Sequence, residues 1–188
     1  FDGMRELRLT EPSKFTFKVK RYADLLMDTY LVINLPDIWS PIWAPSEETS
    51  NVYSPYDFRW IQDIGTQMID EIEISCGSVL LQRYSGRFIN ASVQRDFNAE
   101  KKELFDKMTG NIPELVDPAN WSRRNLAPPY LPNTYPSAMY TTNSNGAEPS
   151  IRGRTLYIPL NTWFTLDSRC AFPLVALQYY ELSINVTL

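Results

Sequence analysis

The sequence contains no histidine, and this removes the most frequent general base and the usual partner of serine and cysteine nucleophiles. It also excludes most catalytic zinc and non-haem iron sites, because these sites take imidazole ligands. Cys76 and Cys170 are the only cysteines, so a disulfide framework is not indicated. Two lone thiols are typical of small buried side chains in a reducing compartment, and the sequence leaves the reduced pair and a single bridge both open.

Long apolar runs and basic runs are also missing. No segment approaches the roughly twenty apolar residues that span a bilayer, and no secretion signal is visible. Lys and Arg number 18 and Asp and Glu number 22, which gives a net charge of −4. Phosphate loops and metal-ligand spacings are absent as well. We therefore predict no transmembrane segment, no direct nucleic-acid partner, no cofactor and no metal site.

The chain does contain enough apolar material for one globular body. It has 188 residues, of which 44% are hydrophobic and 13% aromatic. From Tyr180 to Leu188 apolar and polar residues alternate, which predicts a strand with one buried face. The chain starts at Phe1 and stops inside this strand, so we expect a piece of a longer polypeptide.

The rest of the chain predicts strands separated by loops, with one helical insertion. Strands are expected at residues 15–19 and 30–35, and Pro36 ends the second. Residues 68–76 and 79–82 form a predicted hairpin around Gly77. After Gly86 the apolar spacing becomes helical and continues to Gly110, which predicts one interrupted helix or two short ones, with any second piece starting near Asn98.

Two irregular regions separate these elements. Residues 36–56 combine four prolines with Trp39, Trp43, Tyr53 and Tyr56, so this apolar loop should pack on its own sheet or on a neighbouring subunit. Residues 111–151 hold seven of the fourteen prolines and form the largest expected loop. The pattern predicts an all-β fold, specifically a jelly-roll β-sandwich with a short helical insertion and long Pro-rich loops.

Asp70, Glu71 and Glu73 form the tightest acidic group, which makes a glycosidase-type carboxylate pair a hypothesis to consider. In a strand, Glu71 and Glu73 alternate with Ile72 and Ile74, so a solvated face is favoured. We predict no catalytic residue and no enzymatic activity. Three glycosylation sequons are weak candidates for modification; they begin at Asn90, Asn120 and Asn185.

Several segments, in this order, resemble the major capsid protein of nucleocytoplasmic large DNA viruses. They are DLL at 24–26, YLVINLP at 30–36, WIQDIG at 60–65, IDEIEISCG at 69–77, LYIPLNTWF at 156–164 and FPLVALQY at 172–179. The similarity is to the N-terminal jelly roll and covers nearly the whole chain. Relatives usually begin with a further strand-bearing segment upstream, and many carry His where this chain has Tyr180.

The resemblance implies the first half of a double jelly roll, so that residues 1–188 form an N-terminal jelly-roll domain without an upstream strand and without the second jelly roll. It implies a structural subunit that forms a homotrimer, a pseudo-hexameric capsomer of an icosahedral shell. Neighbouring capsomers and minor capsid proteins would be its partners. The virion would be its location, after assembly in the host cytoplasm. Candidate subunit-contact aromatics are Trp39, Trp43, Tyr53, Tyr56 and Trp121.

Three alternatives stay open at this stage. The first is a carbohydrate-binding jelly-roll module, for which exposed Trp39, Trp43 and Trp121 would supply aromatic surfaces. The second is a minor capsid component rather than the main lattice copy. The third is a glycoside hydrolase that uses Asp70 and Glu73.

Overall fold

The structure is a computed structural model that describes residues 2–3, 11–40, 58–121, 139–141, 146–177 and 179–188. The strands within these ranges are β1 (Asp2–Gly3), β2 (Lys14–Val19), β3 (Leu25–Leu26), β4 (Tyr30–Leu35), β5 (Glu71–Cys76), β6 (Val79–Tyr84), β7 (Met139–Thr141), β8 (Gly146–Glu148), β9 (Arg154–Pro159), β10 (Phe172–Pro173) and β11 (Leu182–Thr187). The α-helices are α1 (Ile64–Gln67), α2 (Gly86–Asp96), α3 (Ala99–Thr109), α4 (Pro113–Val116) and α5 (Pro118–Trp121). Short 3-10 helices cover Trp163–Thr165, Ser168–Cys170 and Leu174–Ala176.

A five-stranded antiparallel sheet is the largest sheet in the described part of the chain, with strand order β1-β2-β11-β5-β6. The last strand, β11, lies at its centre, where Leu182 pairs with Val19 on one side and with Cys76 on the other. Smaller ladders join β3 to β10, β4 to β9 and β7 to β8. The predicted strands at 15–19 and 30–35 and the predicted hairpin are therefore confirmed.

Alternation along the sheet separates a buried face from a polar face. Ile72 and Ile74 of β5 are fully buried, as is Leu182 of β11. On the opposite face one polar row crosses the sheet, since Asn185 pairs with Thr16 on one side and with Glu73 on the other. The Thr16 hydroxyl donates to the Asn185 side-chain oxygen at 2.8 Å, which ties the two central strands together on this face.

The helical insertion follows the predicted pattern. Ile89 and Val93 of α2 are buried, one turn apart on one face. The Asn98 side chain accepts a hydrogen bond from the Lys101 backbone N–H at 2.9 Å, which caps the start of α3. Gly110 follows α3 with a φ of 85°, the left-handed conformation that glycine adopts at little cost. The predicted second helical piece and its end at a glycine are confirmed.

The chain divides into two compact units. The first contains Phe1–Leu31, Gly65–Phe105 and Tyr157–Leu188, and the second contains Val32–Ile64 and Asp106–Leu156. Buried apolar residues of the first unit include Phe15, Ile69, Ile72, Ile74, Ile89, Val93, Ile158, Phe164, Leu182, Ile184 and Val186. Among the described residues of the second unit, the buried apolar ones are Ile33, Leu35, Ile64, Ile112, Leu115, Ile151 and Leu156.

Short polar contacts hold the second unit around its own apolar residues. The hydroxyls of Ser40 and Ser150 lie 2.7 Å apart in a buried position. The Gly153 N–H donates to the Asp37 side chain at 2.6 Å. A side chain at Gly153 would come within 2.7 Å of the Leu35 carbonyl oxygen, so glycine is required for this approach.

Three local predictions differ from the structure. Tyr180 precedes β11 and is exposed rather than part of its buried face, because its ring lies over Gly77 in the neighbouring hairpin. Cys170 is exposed and Cys76 is half-buried, and both are free thiols, so the expectation of two buried cysteines is wrong for Cys170. The region at 111–151 is not purely loop, since prolines begin the short helices α4 and α5, a position where their missing N–H costs nothing.

Candidate subunit-contact surface

The acidic group on β5 is a surface ion-pair network. Arg83 of β6 contacts both glutamates, with its Nε 3.2 Å from Glu71 and its terminal nitrogen against Glu73. Lys14 of β2 approaches Glu73 from the other side at 3.3 Å. The hydrogen bond from Arg83, and then that from Lys14, hold the pKa of the Glu73 carboxyl below its usual range. A general acid needs the opposite shift, so this geometry disfavours Glu73 as the acid of a hydrolase pair.

We expect Glu73→Gln to reduce stability near neutral pH by at most about 1 kcal/mol, because exposed ion pairs contribute little. The pKa of Glu73 is lower in the folded state than in the unfolded state, so its contribution is present above about pH 4.5 and is lost as pH falls through the folded value. Urea unfolding at a series of pH values should show wild type and variant converging in acid. Glu181→Gln, on an exposed side chain beside β11, is the matched control. A difference that persists or grows in acid would contradict this assignment.

Within the described ranges, no cluster of three or more acidic or cysteine side chains has the arrangement of a metal site. No helix in those ranges combines the length and apolar character needed to cross a bilayer.

The predicted contact aromatics are only partly placed. Trp39 follows β4 and is about half exposed. Trp43, Tyr53 and Tyr56 lie outside the described residues. Trp121 is the last residue of α5, and only its backbone is described. Their role in subunit contacts stays a prediction.

The three sequons lie in regular structure. Asn90 is on α2, where it lines a shallow groove with Thr66 and Arg87. Asn120 is within α5, with only its backbone described. Asn185 lies in β11 and its side-chain oxygen is bound by Thr16. Glycosylation at these positions also stays a prediction.

An apolar edge strand is the feature that sequence reasoning missed. Val79, Leu80 and Leu81 are 60%, 49% and 40% exposed, and they occupy the start of β6, one of the two outer strands of the five-stranded sheet. We call these three residues the β6 edge. An exposed apolar edge strand is a liability in a monomer, because its free backbone groups and side chains invite contact with another chain.

A β-bulge in β6 explains the exposure of Leu80 and Leu81, whereas Val79 pairs with Cys76 at the hairpin end. Ile74 pairs with Gln82 and Ser75 pairs with Leu80, so Leu81 is an extra residue without a partner on β5. The insertion turns Leu80 toward the face that carries Ser75, the polar face of the sheet. A regular ladder would instead place Leu81 opposite Ser75. The sequence does carry a signal for this exposed surface. Three apolar residues follow one another after the turn, whereas apolar and polar residues alternate along β5.

The second half of β6 is polar and is held in place. Arg83 points to the β5 glutamates, and Tyr84 is buried with its hydroxyl donating to the Leu160 carbonyl at 2.7 Å. Burial raises the pKa of the Tyr84 hydroxyl, which therefore stays protonated as a donor. Only the hairpin end of the strand therefore presents an apolar surface.

Comparison with known proteins gives a consistent result. The family model described as "Major capsid protein N-terminus" matches residues 6–188. The major capsid protein of Phaeocystis pouchetii virus is 30% identical over 187 residues, which cover 92% of this chain and 30% of that protein. The major capsid protein of Chrysochromulina ericina virus is 28% identical over 192 residues, with coverages of 93% and 32%. The chain thus spans about a third of the length of these relatives.

Solved structures show the same fold. A crystal structure of PBCV-1 VP54, fitted into a cryo-EM reconstruction of the virophage Sputnik, gives a TM-score of 0.57 at 14% identity, covering 98% of this chain and 37% of that one. A quasi-atomic model of the PBCV-1 virus capsid gives a TM-score of 0.55 at 14% identity with the same coverages. The predicted all-β jelly-roll fold is confirmed by this likeness.

Proposed function

The chain belongs to the major capsid protein family of large DNA viruses, and we propose that it is a structural subunit that trimerises into pseudo-hexameric capsomers of an icosahedral shell. The observation that carries the proposal is the match of the family's N-terminal model to residues 6–188, nearly the whole chain. Its partners are other copies of itself, neighbouring capsomers and minor capsid proteins. Its place is the virion, after assembly in the host cytoplasm.

We also propose that this chain corresponds to the first jelly roll of a double jelly roll. The matching family model is that of the N-terminus, and the chain covers 30% to 37% of the relatives and solved chains described above. A second sandwich beside the first would double the contact surface that each polypeptide offers to its neighbours.

The β6 edge supports a role in subunit contact. Interfaces between subunits have apolar centres depleted of charge, surrounded by a polar rim. Leu80 provides an apolar centre on the polar face of the sheet, and Arg83 with Glu71 and Glu73 forms a charged rim on the same face. Because the bulge interrupts the ladder at Leu81, we expect the contact to be made mainly by side chains rather than by strand addition.

Native mass spectrometry of the purified full-length protein tests the assembly. We expect trimers in wild type and a weakening of association by at least about tenfold in Leu80→Arg, because a charge would have to be buried in the interface. Leu166→Arg is the matched control, since Leu166 is 69% exposed on a segment outside the sheet.

Different results would contradict trimerisation and the role of the β6 edge. A wild-type protein that stays monomeric at all concentrations would contradict trimerisation. Wild-type trimers together with normal assembly of a folded Leu80→Arg variant would leave trimerisation intact and exclude the β6 edge from the interface. Circular dichroism and thermal unfolding of each variant establish that the fold is retained.

A further inference from the structure

We propose that a cleft at the hairpin end of the first unit binds a neutral glycan. The cleft has a volume of about 540 Å³ and is lined by Arg21, Tyr22, Ala23, Asp24, Val175 and Tyr179. We call it the tyrosine cleft. It is separate from the β6 edge, none of whose residues lines it.

Two loops form the cleft, and several contacts fix them to each other. The Arg21 guanidinium donates to the Leu177 carbonyl at 2.6 Å. The Val175 N–H donates to the Asp24 carbonyl at 3.2 Å. The antiparallel ladder of β3 and β10 continues directly from these contacts and pairs Leu25 with Pro173. These contacts hold the two loops together as far as Leu177 before a ligand arrives, which lowers the entropy that binding must overcome.

The two tyrosines of the cleft are largely exposed to solvent. Tyr22 is 86% exposed and Tyr179 is 90% exposed, although both border the same cleft. An exposed aromatic ring offers an apolar face and a polar hydroxyl at once. A pyranose ring matches that combination, because its C–H face stacks on an aromatic ring while its hydroxyls point sideways to polar groups. The Lys20 ammonium lies over one face of the Tyr22 ring, 6.0 Å from its centroid, so a ligand would stack on the opposite face of that ring.

The polar lining favours a neutral sugar over a charged ligand. Arg21 and Asp24 put one positive and one negative side chain in the lining, so the lining itself selects neither sign of ligand charge; the Lys20 ammonium lies outside the lining, over the Tyr22 ring. A guanidinium carries five N–H donors, so the bond to Leu177 leaves others for a ligand, and the exposed Asp24 carboxylate accepts hydrogen bonds. Sugar hydroxyls donate and accept, and so can satisfy both groups. A largely apolar peptide would leave both charges unpaired.

The full-length protein can be titrated by NMR and calorimetry with maltotriose, cellotriose, mannotriose, chitotriose and lactose, at concentrations up to about 10 mM. We expect at least one of these probes to bind at a single site. Tyr179→Ala and Tyr22→Ala should each weaken binding by at least about tenfold, the range of one lost aromatic contact. Asp24→Asn should weaken it as well, because the amide accepts fewer hydrogen bonds than the carboxylate.

Tyr30→Ala is the matched control, since Tyr30 is an exposed tyrosine on β4 that does not line the cleft. Binding that resists both cleft substitutions, or that Tyr30→Ala weakens equally, would overturn the proposal, as would the absence of binding for all five probes. Crosslinking of Tyr179 to another protein chain in assembled particles, with no sugar bound, would identify the cleft as a protein contact instead. Trimer formation is measured separately, so failure here leaves the assembly proposal untouched.

Discussion

Gly86→Ala is expected to lower the free energy of unfolding by about 3 kcal/mol, the upper part of the range for overpacking. Gly86 is the first residue of α2 and is buried. A Cβ at this position would lie 1.9 Å from the carbonyl oxygen of Thr66 and 2.9 Å from that of Ile69. Both neighbours are backbone atoms, so no rotamer change can relieve the overlap, and the helix would have to move as a whole.

Two effects oppose each other at Gly86, and their magnitudes decide the sign. Alanine is favoured over glycine by up to about 1 kcal/mol within a helix. Relief of the clash requires α2 to move away from the turn that ends at Ile69, and the Gly86 N–H now donates to the Ile69 carbonyl at 3.1 Å. Loss of that bond and of the packing of Ile89 and Val93 outweighs the gain in propensity.

Urea unfolding monitored by circular dichroism measures the Gly86 effect. Ser85→Ala is the matched control, because Ser85 is the N-cap of α2 but makes no side-chain capping hydrogen bond. We expect the control to change stability by no more than about 0.5 kcal/mol. A Gly86→Ala variant as stable as wild type would show that α2 does not pack against the Thr66 carbonyl as described.

The sequence predicted those elements in which one physical signal dominates. Strict alternation predicted the buried face of Ile72 and Ile74, and a change to helical spacing predicted α2. Gly110 marked the end of α3 because only glycine takes a φ of 85° without strain. The order of motifs predicted the family, and the comparisons confirmed it.

Predictions failed where tertiary contacts override the local pattern. Tyr180 fits the alternation of β11 in the sequence, but its ring packs over Gly77 of the adjacent hairpin, and the residue lies outside the strand. The bulge at Leu81 depends on how β5 and β6 are paired, which no single-strand pattern contains. The short helices α4 and α5 in the Pro-rich region were not predicted, because proline residues usually indicate a loop.

The candidate surfaces were the least predictable part of the molecule. The sequence predicted exposed contact aromatics mainly among tryptophans of the Pro-rich loops, and one of these, Trp43, lies outside the described residues. An exposed apolar group lies instead on regular structure at the β6 edge, and the most exposed aromatics among the described residues are Tyr22 and Tyr179. Exposure is decided by which neighbours cover a residue, so composition alone cannot assign it.

Phe164→Ala is expected to lower the free energy of unfolding by about 3 to 5 kcal/mol, the usual range for a fully buried phenylalanine. Phe164 is completely buried in a 3-10 turn. Its ring centroid is 5.0 Å from that of Trp163 and 6.0 Å from that of Phe172 in β10. Truncation would leave a cavity bordered by two rings and would weaken the attachment of the 3-10 turn to β10. Because β10 pairs with β3 beside the tyrosine cleft, loosening of the cleft should accompany the loss.

Leu166→Ala is the matched control for Phe164→Ala, because it removes an apolar side chain from the same segment that is exposed rather than buried. Leu166 lies two residues from Phe164 but is 69% exposed, so its truncation should change stability by no more than about 0.5 kcal/mol. Phe164→Leu should fall between the two variants, because leucine refills part of the cavity. Thermal and urea unfolding of the three variants give the ranking directly. Equal effects of Phe164→Ala and Leu166→Ala would mean that the ring of Phe164 is not part of the core. They would also contradict the packing of this segment against β10.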